Sequence, residues 1–191
     1  MKEKLRIAVA DDEAIIRRYF QEILPNIGYT VVAAAADGAE LVAACQREQP
    51  DLVISDIRMP KLDGIEAAIQ ICQQRPTPII LVSAFHDEDL IERSAKSHAM
   101  AYLIKPIEKA HLETAIPLAY RNFRQIQQLH SESARLLQTL EDRKLIERAK
   151  GLIMKKLSLE EPDALRAMQK MACDKNKKLV DVARLVLATH D

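Results

Sequence analysis

The chain has no tryptophan, and only 4% of its 191 residues are aromatic, none of them after Phe123. The last third therefore has no side-chain ring on which a planar ligand can stack. Cysteine is scarce: Cys45, Cys72 and Cys173 form an odd, widely spaced set. That usage argues against a disulfide framework and against a zinc site, and it predicts buried thiols in a reducing compartment. No apolar run is long enough to span a bilayer, and Met-Lys-Glu-Lys leads directly into a strand-like run with no signal-peptide core. A cytoplasmic protein with no membrane association is expected. Internal repeats and low-complexity segments are absent. No sign of charge prevails, with 28 Lys and Arg against 28 Asp and Glu, yet the charge is unevenly spread. Residues 1–122 carry 14 basic against 18 acidic groups, 123–141 balance at two each, and 142–191 carry 12 against eight. The acidic portion suits a metal site, and the basic tail suits a polyanionic partner.

What is present is a 48% hydrophobic composition, enough for a sizeable core. In the first ~120 residues, strand-like runs alternate with amphipathic stretches, the pattern of a parallel sheet covered on both faces. The runs are 5–10, 29–34, 51–56, 79–82 and 101–104. Helices are expected over roughly 13–25 (with Ile15, Ile16, Tyr19, Phe20 and Ile23 inward), from Asp37-Gly38 to about 48, after a loop containing Met59-Pro60 and Asp63-Gly64 to about 74, over about 87–98, and a last one from Glu108. From about Ala110 to Ser158 the helical pattern continues past Pro117. Ile126, Leu129, Ser133, Leu136 and Leu140 make a short heptad seam, a candidate homodimer contact or a face of the protein's own core. A second stripe, Leu145, Ala149, Leu152 and Ile153, should pack on two short helices, about 160–173 and 178–189.

Four of the strand-like runs end in residues suited to phosphoryl chemistry: Asp11-Asp12, Asp56, Ser83-Ala84 and Lys105-Pro106. In a parallel sheet these ends share the edge where open α/β folds bind ligands. Asp11, Asp12 and Asp56 make a hard oxygen site suited to Mg²⁺, and a carboxylate can accept a phosphoryl group. Lys105 supplies a second cation. The Ser83 hydroxyl and the Ala84 N–H can donate to phosphoryl oxygens. Taken singly, Asp12 or Ser83 reads as a helix cap and Lys105-Pro106 as a turn. Their joint placement at successive strand ends favours the chemical reading.

Residues 1–122 resemble a response-regulator receiver domain, with Asp11, Asp12, Asp56, Ser83 and Lys105-Pro106 in family order. The string Asp56-Ile57-Arg58-Met59-Pro60-Lys61-Leu62-Asp63-Gly64 is specific for that family. The resemblance implies a flavodoxin-like, doubly wound five-stranded sheet of order 2-1-3-4-5. It also implies Mg²⁺ held by Asp12, Asp56 and the backbone carbonyl of Arg58, phosphotransfer from a sensor histidine kinase to Asp56, and a cis Lys105-Pro106 bond. Tyr102 falls where the family has an aromatic switch coupled to Ser83. Such a domain accepts a phosphoryl group, and no substrate turnover is expected.

The tail segment Arg143-Lys144-Leu145-Ile146-Glu147-Arg148-Ala149-Lys150-Gly151-Leu152-Ile153-Met154 sets four cations along one helix. Gly151 in mid-helix costs roughly 1 kcal/mol against alanine, which suggests close approach of another helix or a ligand. A solvated basic face with a packing glycine is the plainer alternative. About residues 135–190 resemble the ANTAR domain, a three-helix RNA-binding module of transcription antiterminators, with the Ala149-Lys150-Gly151 core in place. The family usually exposes an aromatic in its second helix, where this chain has Ala164-Leu165-Arg166-Ala167-Met168. Arg143, Lys144, Arg148, Lys150 and Arg166 remain available to bind phosphates or stack by guanidinium. The expected protein is a response regulator with a receiver (1–122), a helical coiled-coil linker (123–141) and an ANTAR-like three-helix output (142–191). That output would bind hairpins in leader transcripts. A phosphorylation-controlled protein adaptor is the rival reading, and a DNA-binding regulator is disfavoured for want of a helix-turn-helix signature.

Overall fold

A computed structural model describes residues 4–84 and 99–189. The helix expected over 87–98 lies outside the described residues. Two compact units divide between Ile126 and Gln127.

The first unit is a five-stranded, all-parallel sheet of order β2-β1-β3-β4-β5, a doubly wound, flavodoxin-like topology. Its strands are β1 (Arg6–Ala10), β2 (Thr30–Ala35), β3 (Leu52–Asp56), β4 (Ile79–Ser83) and β5 (Ala101–Ile104). The central strands β1, β3 and β4 are buried on both faces, which is why their runs are apolar almost throughout and do not alternate with polar residues. Ile7, Val9, Leu52, Ile54, Ile80 and Val82 point to one face. They meet Phe20 and Leu24 of α1 (Ala14–Asn26) and Leu112, Ile116 and Ala119 of α4 (Lys109–Leu157). Ala8, Ala10, Val53, Ile79 and Leu81 point to the other, against Leu41 and Cys45 of α2 (Gly38–Glu48) and Ile65, Ala68 and Ile71 of α3 (Gly64–Gln74).

The helix starts are written locally. The side chains of Asp37 and Asp63 cap α2 and α3 by accepting the N–H of Glu40 and of Glu66, each at 2.8 Å. The glycine after each cap is forced by space. A Cβ on Gly64 would overlap the carbonyl oxygen of Asp56, and one on Gly38 would overlap that of Leu62.

Three expectations are corrected here. Ile15 is 72% exposed rather than inward, and Leu24, fully buried, takes that place in the core. Cys173 is exposed, and Cys72 is only half-buried. Cys45 is buried, and desolvation pushes its thiol up to about 12, so it stays protonated and unreactive at neutral pH.

In the second unit, α4 ends at Leu157. Ser158 turns left-handed there, and the Leu159 N–H donates back to the Met154 carbonyl at 3.2 Å. α5 (Glu161–Asp174) and α6 (Leu179–Ala188) complete a three-helix cluster with Ala149, Ile153, Ala164, Met168 and Ala183 at its centre. Along α4, Ile126, Leu129, Leu136 and Leu140 are all exposed, so none of the described residues covers this seam.

Candidate functional site

The carboxyl ends of β1, β3 and β5 bring Asp11, Asp56 and Lys105 together. Asp11 directly follows β1 and is fully buried, and Asp56 closes β3 with 5% exposure. Ser83 closes β4, and Lys105 follows β5. The Lys105 ammonium lies 2.8 Å from Asp11 Oδ2 and 2.9 Å from Asp56 Oδ1, joining two strands that are not neighbours in sequence. The second Asp56 oxygen accepts the Arg58 N–H at 2.8 Å. Asp11 Oδ1 accepts the Glu13 N–H at 2.9 Å. Asp11 Oδ2 is buried and has no hydrogen bond of good geometry among the described residues.

Burial pushes the Asp56 carboxyl above the usual range, against the opposing pull of the Lys105 ammonium. Burial works against the Lys105 charge in turn. The carboxylates of Asp11 and Asp56 outweigh it and hold the ammonium above the usual lysine range, so Lys105 remains a cation at any physiological pH.

Asp12 is exposed and caps nothing: the residue at the head of α1 is Glu13, which makes no side-chain cap. Asp12 is instead part of a tight acidic group, with carboxylate oxygens of Asp11, Asp12 and Glu13 within 4.8 Å of one another. Asp56 stands outside that group and is tied to it through Lys105. Hard carboxylate oxygens gathered this closely fit a divalent cation better than a softer metal.

Two residues of this neighbourhood carry no signal separable from ordinary surface charge. Glu13 Oε1 lies 3.4 Å from Lys105 Nζ as a third carboxylate partner. Arg17 donates to the backbone carbonyls of Asp11 and Asp12 at 2.8 and 2.9 Å, clamping the acidic turn. The Lys105–Pro106 bond is cis. Tyr102 lies on the edge strand β5, partly exposed. An apolar groove lined by Ile15, Ile16, Tyr19, Pro106 and Ile107 includes Ala84 and Lys105 among its walls.

In the second unit, Arg143, Lys144, Arg148 and Arg166 are exposed. Lys150 is not. It is 7% exposed, with its ammonium 2.6 Å from Glu147 and 2.7 Å from Glu161, the first residue of α5. These two hydrogen-bonded carboxylates raise its pKa. The expectation that Lys150 joins an exposed RNA-facing row is therefore corrected: its charge is consumed inside the bundle, tying α4 to α5.

A parallel sheet in this order, with buried aspartates bridged by a lysine at its carboxyl edge, defines the receiver class of signalling domain. The chain belongs to the response-regulator family: the response regulator receiver domain matches residues 7–117 and the ANTAR domain matches residues 134–187. It is 45% identical over 184 residues to the transcriptional regulatory protein PdtaR of Mycobacterium tuberculosis, across 96% of this chain and 90% of that one. Among solved structures it is similar to a CheY-like receiver domain protein from Methanospirillum hungatei. The TM-score there is 0.61 at 27% identity, covering 64% of this chain and 98% of that one. It is also similar to a CheX–CheY–BeF₃–Mg²⁺ complex from Borrelia burgdorferi, with a TM-score of 0.56 at 26% identity, covering 59% and 86%. Both matched domains are regulatory. Among the described residues no helix is long and apolar enough to cross a membrane.

Proposed function

We propose that a sensor histidine kinase phosphorylates Asp56, and that this controls an output that binds hairpins in nascent leader RNA and promotes antitermination. The observation that carries the reading is the Asp11–Lys105–Asp56 bridge at the sheet edge of a chain that also matches the ANTAR domain. The functional segments are 1–122 as receiver, 123–141 as linker and 142–191 as output.

In the transfer, an Asp56 carboxylate oxygen bonds to phosphorus as the bond from phosphorus to the kinase histidine nitrogen breaks. Lys105, already held over Asp56, swings its charge to an incoming phosphoryl oxygen. The Ser83 hydroxyl and the Ala84 N–H donate to others. Asp11, Asp12 and Asp56, with the Arg58 carbonyl, would hold Mg²⁺, which when bound neutralises charge between the acids and the phosphoryl group. The BeF₃ and Mg²⁺ in the CheY complex support that assignment. The phosphoryl group ends on the protein's own side chain, so the chain is an acceptor and not an enzyme. The exposed Ile15 and its groove give a kinase an apolar surface beside the site. Movement of Ser83 towards the phosphoryl group, followed by Tyr102 on β5, would report the state. The donor kinase and the nascent transcript both imply a cytoplasmic location.

The exposed seam Ile126, Leu129, Leu136 and Leu140 supports a homodimer. A seam this short is marginal alone, so a small bias from the receiver can tip it. Beryllofluoride with Mg²⁺ is expected to raise the mass measured by ultracentrifugation. An unchanged mass across a wide concentration range defeats the dimer.

For the output, full-length protein treated with beryllofluoride is expected to retain hairpins from an RNA stem-loop library. The affinity should weaken with salt by a slope of roughly 0.7 per phosphate contact in single-stranded regions. Replacing Lys144 and Arg148 together with alanine should lower both affinity and slope. If neither form of the protein holds any hairpin above background, the adaptor reading becomes the better one.

A further inference from the structure

Gly151 is explained by no contact among the described residues. It lies in the interior of α4, exposed, with ordinary helical geometry, and a Cβ built there would meet nothing within 4 Å. Neither a left-handed turn nor close packing of α5 or α6 demands a glycine. Its penalty against helix formation is nevertheless borne in full. At about 100° per residue, Gly151 lies about 160° around the helix from the core residues Ala149 and Ile153, on the side facing solvent.

Its neighbours on that side are cations. Lys144, Arg148, Gly151 and Lys155 follow the spacing i, i+4, i+7, i+11, which keeps all four within about 60° of one another. Lys144, Arg148 and Lys155 are exposed and have no ion-pair partner among the described residues. Along the axis Lys144 and Arg148 are about 6 Å apart, and Lys155 lies about 10 Å beyond Arg148, with Gly151 in the gap. Glu141, one turn before Lys144, ends the basic row. Lys150, next in sequence to Gly151, is turned inward to Glu147 and Glu161, so it does not fill the gap from the side.

We propose that Gly151 is the seat where the sugar-phosphate backbone of an RNA loop lies directly against α4, with Lys144 and Arg148 on one side and Lys155 on the other. The absent side chain lets the strand sink to the helix backbone, so that phosphates come within reach of ammonium and guanidinium groups on both sides at once. This deepens the RNA-binding reading and rests on it. It adds Gly151 and Lys155 to the contact surface and leaves Lys150 out of it.

The test is Gly151→Ala in the full-length protein, with Lys155→Gln beside it. Hairpins retained by the wild-type protein serve as probes, and thermal unfolding is followed in parallel. A merely structural glycine predicts that alanine changes stability and RNA binding together. The seat predicts opposite signs: Gly151→Ala unfolds at the same or a higher temperature yet binds the hairpin about tenfold more weakly, the loss of one charge-assisted contact. Lys155→Gln should lower the salt slope by roughly 0.7. If Gly151→Ala binds hairpins as the wild type does, the inference is overturned while the RNA reading stands. A change in oligomeric mass without a change in RNA affinity would overturn it too, assigning the notch to a second copy of the chain. If the wild-type protein retains no hairpin, the RNA reading and this inference fall together.

Discussion

Asp56→Asn is expected to reduce acid-labile labelling by acetyl phosphate to background while the protein stays folded. The amide keeps the shape of the side chain, and its one oxygen can still accept from either the Arg58 N–H or Lys105. It is a far poorer nucleophile and a weaker ligand for a divalent cation. The direction of the Asp56 shift argues that folding survives. Burial raises this carboxyl's pKa in the folded state, so the ionised form is held at some cost, and stability from this group falls as pH rises through the carboxylate range. A neutral amide removes that cost. Against it stands the loss of one anion beside Lys105, which keeps Asp11 at 2.8 Å. The two effects oppose, and a thermal midpoint within a few degrees of wild type is the expected balance. Mg²⁺-dependent labelling equal to wild type would remove Asp56 from the acceptor role.

Gly64→Ala should be the most disruptive single methyl group in the first unit. At an ordinary helical position this change gains up to about 1 kcal/mol of propensity. Here the new Cβ would overlap the backbone carbonyl oxygen of Asp56, and a backbone atom cannot rotate away as a long side chain can. The Gly64 N–H also donates to the Ile57 carbonyl at 2.8 Å, so α3 cannot back off without losing that bond. Overpacking of this kind costs about 1–3 kcal/mol, and the strain falls on Asp56, the proposed phosphoryl acceptor. A lower urea midpoint and slower labelling by acetyl phosphate are expected together. Unchanged stability and unchanged labelling would mean that the β3–α3 connection yields more easily than its contacts imply. The same substitution at Gly151 should leave stability equal or higher, because the space there is open.

Much of the receiver site was legible because the relevant signals are local. Four of the five strands are short runs that end at an acid, a hydroxyl or a lysine, and parallel topology sends all four ends to one edge. Asp37 could be read as a helix start because a cap acts within three residues, whereas Asp63, read as part of a loop, caps the next helix in the same way. The phase of α1 was less legible. Ile15 and Ile16 are both apolar, and periodicity alone does not say which of them the sheet covers. Leu24 was passed over for the same reason, one step beyond the stripe that began at Ile15. Glu13 and Arg17 were invisible as parts of the site, since their partners are Lys105, 92 residues away in sequence, and two backbone carbonyls.

The tail divides along the same line. Its three helices and their apolar stripes follow from period and breakers, and the basic excess follows from counting. Which cations face water does not. Lys144, Arg148 and Lys150 look equivalent as a string, and only the docking of α5 brings Glu161 onto Lys150 and takes that charge out of the surface.

By itself, then, the sequence determined the strand and helix order, the acidic edge with its lysine, and the pairing of a receiver with an ANTAR output, because each rests on residue type at short spacing. The tertiary structure alone decided that Lys105 bridges Asp11 and Asp56, that Lys150 is internal, and that Gly151 opens to solvent. Those depend on which surfaces meet across long separations, and burial and ion pairing are properties of the packed chain.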